Sequence, residues 1–151
     1  SGDIAVKRLT EKFDGEKLSN IEINQANWLK SLEILPSNLK ESLQVAAKRI
    51  QDFHQLSMPK PWSSISGEYE EKIIPIETVG IYVPGGTANY PSAVLMDVIP
   101  AKVAGVPNVI VCTPDPTDAV LASAKIAGAD RLFQVGGAQA IAAMACATPH
   151  L

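Results

Sequence analysis

Two stretches of the chain combine residue types and spacings that suit a bound anion or cofactor. In residues 79–92, VGIYVPGGTANYPS, a short apolar run breaks on Pro-Gly-Gly and a helix-like pattern follows. Pro84 stiffens the exit, while Gly85 and Gly86 permit backbone angles and close approaches that a Cβ would forbid. Pro91 stands where a first helical residue belongs, so its neighbours present free N–H groups to whatever occupies the loop. A helix N-terminus behind a glycine loop suits an anion such as a pyrophosphate. A bare tight turn explains Pro-Gly-Gly as well, because it is not the dinucleotide fingerprint Gly-x-Gly-x-x-Gly.

The second stretch, FQVGGAQAIAA at 133–143, repeats the unit of strand, Gly-Gly and helix. Gln139 falls in the first turn of that helix, where its amide offers a donor and an acceptor toward the strand ends. A solvent-facing helical glutamine is the competing reading. Lys102, just after Pro100, is either a surface lysine or within reach of a ligand phosphate. His54 and His150 have no third ligand nearby, so neither reads as a metal site. Cys112 and Cys146 lie far apart and outside any Cys-x-x-Cys or Cys/His cluster, so they give no metal or redox motif; free buried cysteines are the expectation, with a disulfide between them the alternative. No Ser/His/Asp elbow is present, and no carboxylate stands out as a desolvated acid or base.

The elements around these loops follow from periodicity. Up to about Leu56 the chain reads as mostly helical. Ile4, Val6, Leu9 and Phe13 form a stripe that Gly15 stops, and Asn24 caps a helix carrying Trp28, Leu29, Leu32 and Leu35 that Pro36 ends. Ser37 then caps an amphipathic helix with Leu39, Leu43, Ala46, Ala47, Ile50 and Phe53 at the 3.6 spacing. Between the first two helices, Leu18 to Ile23 alternates like a short strand. Residues 58–72, rich in Pro, Ser, Gly and charge, read as a connector.

From Ile73 the texture changes to short β-branched runs alternating with Ala-rich helical runs: TVGIYV, PSAVLMDVIPAKVAG, NVIVC, TDAVLASAKIAG, RLFQV and AQAIAAMACA. Strands apolar on both faces and separated by helix-length segments imply right-handed βαβ crossovers and a parallel sheet. Pro100 should kink or restart its helix, and Gly105 and Gly128 stand where left-handed stops belong. The expected fold class is α/β, a Rossmann-like parallel sheet with helices on both faces, incomplete, preceded by a mainly helical N-terminal segment. The expected division is 1–72, helical segment and connector, and 73–151, a Rossmann-like α/β NAD-binding domain incomplete at its C-terminus. Ligands of such sheets collect at the carboxyl ends of strands, where both glycine loops lie.

Composition narrows the function classes. The 151 residues are 46% hydrophobic and 19% charged with net charge −3, ordinary for a soluble globular chain able to bury a core. With 13 basic against 16 acidic residues and no basic cluster, the chain lacks the electrostatic footprint of a nucleic-acid binder. No apolar run reaches the roughly 18–20 residues that cross a bilayer, and no leader pattern opens the chain, which gives a cytoplasmic expectation. The opening without Met and the uncapped ATPHL ending give the expectation of an excised piece.

The run VGIYVPGGTANYPSAVLMDVIPAKVAGVPNVIVCTPDP, with VGGAQAIAAMA downstream and GDIAVKRLTEKFDG at the start, resembles the histidinol dehydrogenase family across essentially the whole chain. The resemblance implies a two-step oxidation of L-histidinol through the aldehyde to L-histidine in histidine biosynthesis, with two NAD reduced in turn, zinc orienting the substrate, and a homodimer. In that family the tyrosine of Tyr-x-Pro-Gly-Gly and the glutamine of Gly-Gly-Ala-Gln contact NAD, and these match Tyr82 and Gln139. Family members are much longer. Their zinc ligands, the Glu-His acid/base pair and a Gly-Pro-Gly-Asn segment all fall beyond the point matching Leu151, so no catalytic or zinc residue is assigned here and the 151-residue piece is expected to be inactive alone. Two other readings are a related NAD-dependent dehydrogenase of another small amino or hydroxy alcohol, and a non-catalytic nucleotide-binding module.

Overall fold

The computed structural model describes residues 2–85 and 90–146, so Gly86 of the Pro-Gly-Gly turn and His150 lie outside the described residues. Helix α1 (Asp3–Asp14) ends on Gly15, whose φ of 74° is the left-handed stop the sequence predicts. Its buried face is Val6 and Thr10, one helical turn apart, whereas Ile4 and Phe13 of the expected stripe are solvent-exposed. The reason is contact width: α1 packs chiefly on one neighbouring helix, so only a narrow strip of its surface is covered.

Helix α2 (Gln25–Ile34) is capped by Asn24, whose Oδ1 accepts the Ala26 N–H at 2.8 Å, and it ends at Leu35 because the residue before Pro36 is held extended. Its Trp28 is buried with the indole N–H donating to the Ile23 carbonyl at 3.1 Å. In helix α3 (Ser37–Ser57) the cap position belongs to Pro36, not to Ser37, which is the first helical residue. Leu43 and Ala47 are buried, and Ala46 and Ile50 pack beside them, while Phe53 at the far end stays exposed. The segment expected as a connector contains a short antiparallel pair, β1 (Trp62–Ser63) with β2 (Glu70–Glu71), where the Trp62 indole donates to a Glu71 carboxylate oxygen at 2.6 Å.

Three β-branched runs then form parallel strands in the order β3-β4-β5: β3 (Thr78–Tyr82), β4 (Asn108–Cys112) and β5 (Arg131–Phe133). Tyr82 lies opposite Cys112, and Cys112 opposite Phe133. Parallel neighbours cannot be joined by a tight turn, and helices α4 (Pro91–Val103) and α5 (Asp118–Ala127) supply the crossovers. Pro91 opens α4 as expected, and Gly105 and Gly128 adopt φ of 84° and 82° after α4 and α5. Pro100 neither kinks nor restarts α4. It sits in the last turn, where its missing N–H removes one bond near an end already terminating, and its carbonyl still accepts the Ala104 N–H at 2.9 Å.

Helices cover both faces of the sheet. Ile81, Val83, Val109, Val111 and Leu132 point into one core with residues of α2, α3, α4 and α5. Cys112, Phe133 and Val135 point the other way, against Val6 of α1 and Ala140 and Ala143 of the last helix, α6 (Gly137–Cys146). Each fully buried Val, Leu or Phe contributes roughly 1.5–3 kcal/mol of transfer free energy, so these strands are held by what lies on both sides. The Leu18–Ile23 alternation yields a single antiparallel bridge, Glu22 to Phe133, flanked by Ile23 N–H to the Leu132 carbonyl at 2.9 Å and Gln134 N–H to the Ile21 carbonyl at 2.8 Å. Ile21 joins one core and Ile23 packs on the other, so the segment twists across the sheet's rim and does not keep the one-sided alternation of a strand. Glu22 also takes both Arg131 donors, at 2.9 and 2.8 Å, while that guanidinium lies 4.7 Å from the Phe133 ring centre; the carboxylate raises the Arg131 pKa above its ordinary value.

Candidate functional site at the carboxyl ends of the strands

Three loops leave the carboxyl ends of β3, β4 and β5, and they interlock at Pro114. This proline belongs to the turn between β4 and α5. A Cβ on Gly85 would press into the Pro114 carbonyl oxygen and lie 2.8 Å from its Cγ, and a Cβ on Gly136 would lie 2.8 Å from the Pro114 Cβ. The glycines of both predicted loops are therefore there for close approach, with the ring of Pro114 between them. Asp115, next in the chain, has φ of 41°, the only positive value among the described non-glycine residues.

Tyr82, the last residue of β3, reaches past β4 to the start of α6, where its hydroxyl oxygen accepts the Gly137 N–H at 3.1 Å. An N–H of the first helical turn has no partner within its own helix, and the phenol supplies one. The hydroxyl proton itself remains available to an acceptor outside the protein. Gln139 sits in the first turn of α6, as expected, and is 7% exposed. Its amide turns toward α1, donating from Nε2 to an Asp14 carboxylate oxygen at 3.3 Å, so it lies in the seam between two helices and not over the strand ends. Both residues nevertheless converge on Gly137: a Cβ there would stand 2.6 Å from Gln139 Oε1, and its φ of 64° belongs to glycine in any case.

The other candidates fall away from this cluster. Lys102 lies at the opposite end of the strands, its ammonium 2.5 Å from an Asp130 carboxylate oxygen and 3.3 Å from the Pro107 carbonyl. The same Asp130 oxygen accepts the Val109 N–H at 2.6 Å, so Lys102 completes a clasp joining α4 to the starts of β4 and β5. His54 makes an edge-to-face contact with Phe53 on α3. Cys112 and Cys146 are both free; burial pushes the Cys112 thiol up to about 12, whereas Cys146 is exposed. Among the described residues no group of three or more His, Cys, Asp or Glu could hold a metal ion, and no helix is long and apolar enough to cross a membrane.

Sequence reasoning passed over Pro114 and Asp115. Their signal was the Pro-Asp-Pro turn directly after NVIVCT, which marks the exit of the middle strand. Beside that turn, between the 19–27 segment and the first turn of α5, a cleft of about 430 Å3 opens next to Gln134, the residue after β5.

The family model described as histidinol dehydrogenase matches residues 1–151. The histidinol dehydrogenase of Methanosarcina mazei is 46% identical over 97% of this chain, and that of Acinetobacter baylyi is 43% identical over 97%. The crystal structure of histidinol dehydrogenase from Elizabethkingia anophelis superposes with a TM-score of 0.90 at 33% identity, covering 97% of this chain. In each case the chain spans 36% of the relative's own length.

Proposed function

The chain belongs to the histidinol dehydrogenase family, and from that premise we propose that it forms part of the cofactor-binding half of an enzyme oxidising L-histidinol to L-histidine through the aldehyde. NAD, bound twice in turn, is the hydride acceptor of both steps. The single observation that supports this reading is the meeting of Tyr82 and Gln139 at Gly137, beside strand ends where parallel sheets collect their ligands. The residues fit such a cofactor in two respects. Gly85 and Gly136 let backbone come close, and Tyr82 keeps a hydroxyl proton to donate. On this reading Tyr82 orients the dinucleotide. Gln139 fixes the start of α6 and meets the ligand only when its amide leaves Asp14.

Zinc has no such fit among the described residues, and no step is derived through it. We assign its ligands and the acid/base pair to the part of the relatives that this chain does not span, which makes the 151 residues inactive by themselves. A homodimer and a cytoplasmic address belong to the same proposal. Calorimetric titration of the chain with NAD tests the cofactor reading: binding should weaken at least five-fold in Tyr82→Ala, and equal heats would remove Tyr82 from the site. Steady-state NADH production from histidinol by the purified chain would overturn the claim of inactivity.

A further inference from the structure

We propose that Asp14 is a positioning residue for the candidate site: its carboxylate latches the Gln139 amide into the seam between α1 and α6, and the dinucleotide gains Gln139 only by displacing that carboxylate. This latch rests on the NAD reading above and deepens it, because Asp14 regulates one of the two contacts assigned there.

Asp14 is not placed for the sake of its own helix. It is the last residue of α1, where a negative charge opposes the helix macrodipole, and Gly15 beside it already ends the helix in the left-handed conformation. Its side chain is exposed and enters no ion pair among the described residues; the one partner it has there is Nε2 of Gln139 at 3.3 Å, 125 residues later in the chain. An amide N–H donating to a carboxylate makes a stronger bond than one donating to a neutral acceptor, so this contact can hold a side chain in place.

Gln139 is held in a way that lets its amide turn. The residue is buried in the first turn of α6, and its Oε1 has no partner among the described residues. That oxygen faces Gly137, where an added Cβ would lie 2.6 Å from it. The last torsion of a glutamine is soft, so rotating the amide costs chiefly the bond to Asp14. Gly137, lacking a Cβ, leaves free the space into which the amide rotates, beside the N–H that the Tyr82 hydroxyl accepts. Two arrangements result. With the amide on Asp14 the ligand meets Tyr82 alone; with the amide released it meets both side chains. A ligand that needs the second arrangement binds more weakly in proportion to how seldom it is populated, and cutting the latch removes that penalty.

Calorimetric titration with NAD tests the latch on the chain and four variants. Asp14→Ala should tighten binding by about three- to ten-fold. Asp14→Asn, which keeps a neutral acceptor, should fall between Asp14→Ala and the parent sequence. In a Gln139→Ala background, Asp14→Ala should change nothing. A merely structural Asp14 would lower affinity on removal, so a gain in affinity that depends on Gln139 separates the two roles. The side-chain amide signals of Gln139 in the 15N-labelled parent chain provide a second measurement that needs no substitution at Asp14: they should move as NAD saturates the chain, and signals that stay in place would overturn the latch. NAD binding that weakens in Tyr82→Ala but is unchanged or weaker in Asp14→Ala would also overturn it and leave the cofactor reading standing. Absence of NAD binding in the parent and in Asp14→Ala alike would overturn both.

Discussion

The Tyr82 hydroxyl accepts the Gly137 N–H at 3.1 Å and thereby joins the end of β3 to the first residue of α6. Removing only that oxygen, in Tyr82→Phe, leaves the ring in place and an N–H at a solvent-accessible helix start that water can satisfy. The expected loss is below about 1 kcal/mol by urea unfolding, with faster hydrogen exchange at Gly137. An unchanged exchange rate there would show that the bond carries nothing.

Gly85 and Gly136 press on Pro114 in different ways, so their alanine variants should respond differently to relief. Each should cost roughly 1–3 kcal/mol through overpacking. The clash at Gly136 is with the Pro114 ring, whereas at Gly85 it includes the Pro114 carbonyl oxygen, which no side-chain change removes. In double-mutant cycles Pro114→Gly should therefore couple favourably with Gly136→Ala by about 1 kcal/mol, and less with Gly85→Ala. Equal coupling in the two cycles would contradict the interlocked arrangement.

The Lys102–Asp130 clasp holds the amino ends of the strands, on the side away from the candidate site. Asp130→Ala strands the Val109 N–H and should cost about 1–2 kcal/mol, while Lys102→Met, removing one half-exposed ion pair, should cost at most about 1 kcal/mol. NAD affinity should be the same in Lys102→Met as in the parent sequence. A loss of affinity there would return Lys102 to the ligand.

At pH 8 one thiol per chain, Cys146, should react rapidly with a disulfide reagent, and Cys112 should react only as the protein unfolds. Burial raises the Cys112 pKa from 9.0 to about 12. Between those values the unfolded chain has released its thiol proton and the folded chain has not, so stability is full below pH 9 and falls away as pH climbs toward 12. Cys112→Ala should flatten that decline in thermal melts; an unchanged slope would assign it to other groups.

The α/β alternation after Ile73 was legible because strands buried on both faces and Ala-rich crossovers leave a strong periodic trace, and Gly15, Gly105 and Gly128 marked helix ends correctly. Tyr82 was legible from the Tyr-x-Pro-Gly-Gly pattern of the family resemblance, two residues before Pro84. Its bond to Gly137 was not, because nothing local says which loop a phenol will reach across the sheet. The orientation of Gln139 escaped for a similar reason: its amide is claimed by Asp14, 125 residues earlier. The α1 stripe was read too wide, since periodicity gives a helix its apolar face but not how much of that face a neighbour will cover. Pro114 left only a turn signature, and its importance appears once two glycines are seen to close on it.

The bridge from Glu22 to Phe133 also bears on the order in which the chain assembles. Asn20 and Glu22 meet their partners Gln134 and Arg131 at sequence separations of 114 and 109 residues. Such distant contacts repay their loop-closure entropy late, so they slow folding more than they weaken the finished fold. On a ribosome, Ile21 and the inner face of α1 lack most of their packing partners, Phe133, Val135, Ala140 and Ala143, until β5 and α6 have emerged. Residues near 20, made well before their partners, are then among the last to settle, and kinetic measurements should find the 130s docking onto the 20s after the β3-α4-β4 unit has formed.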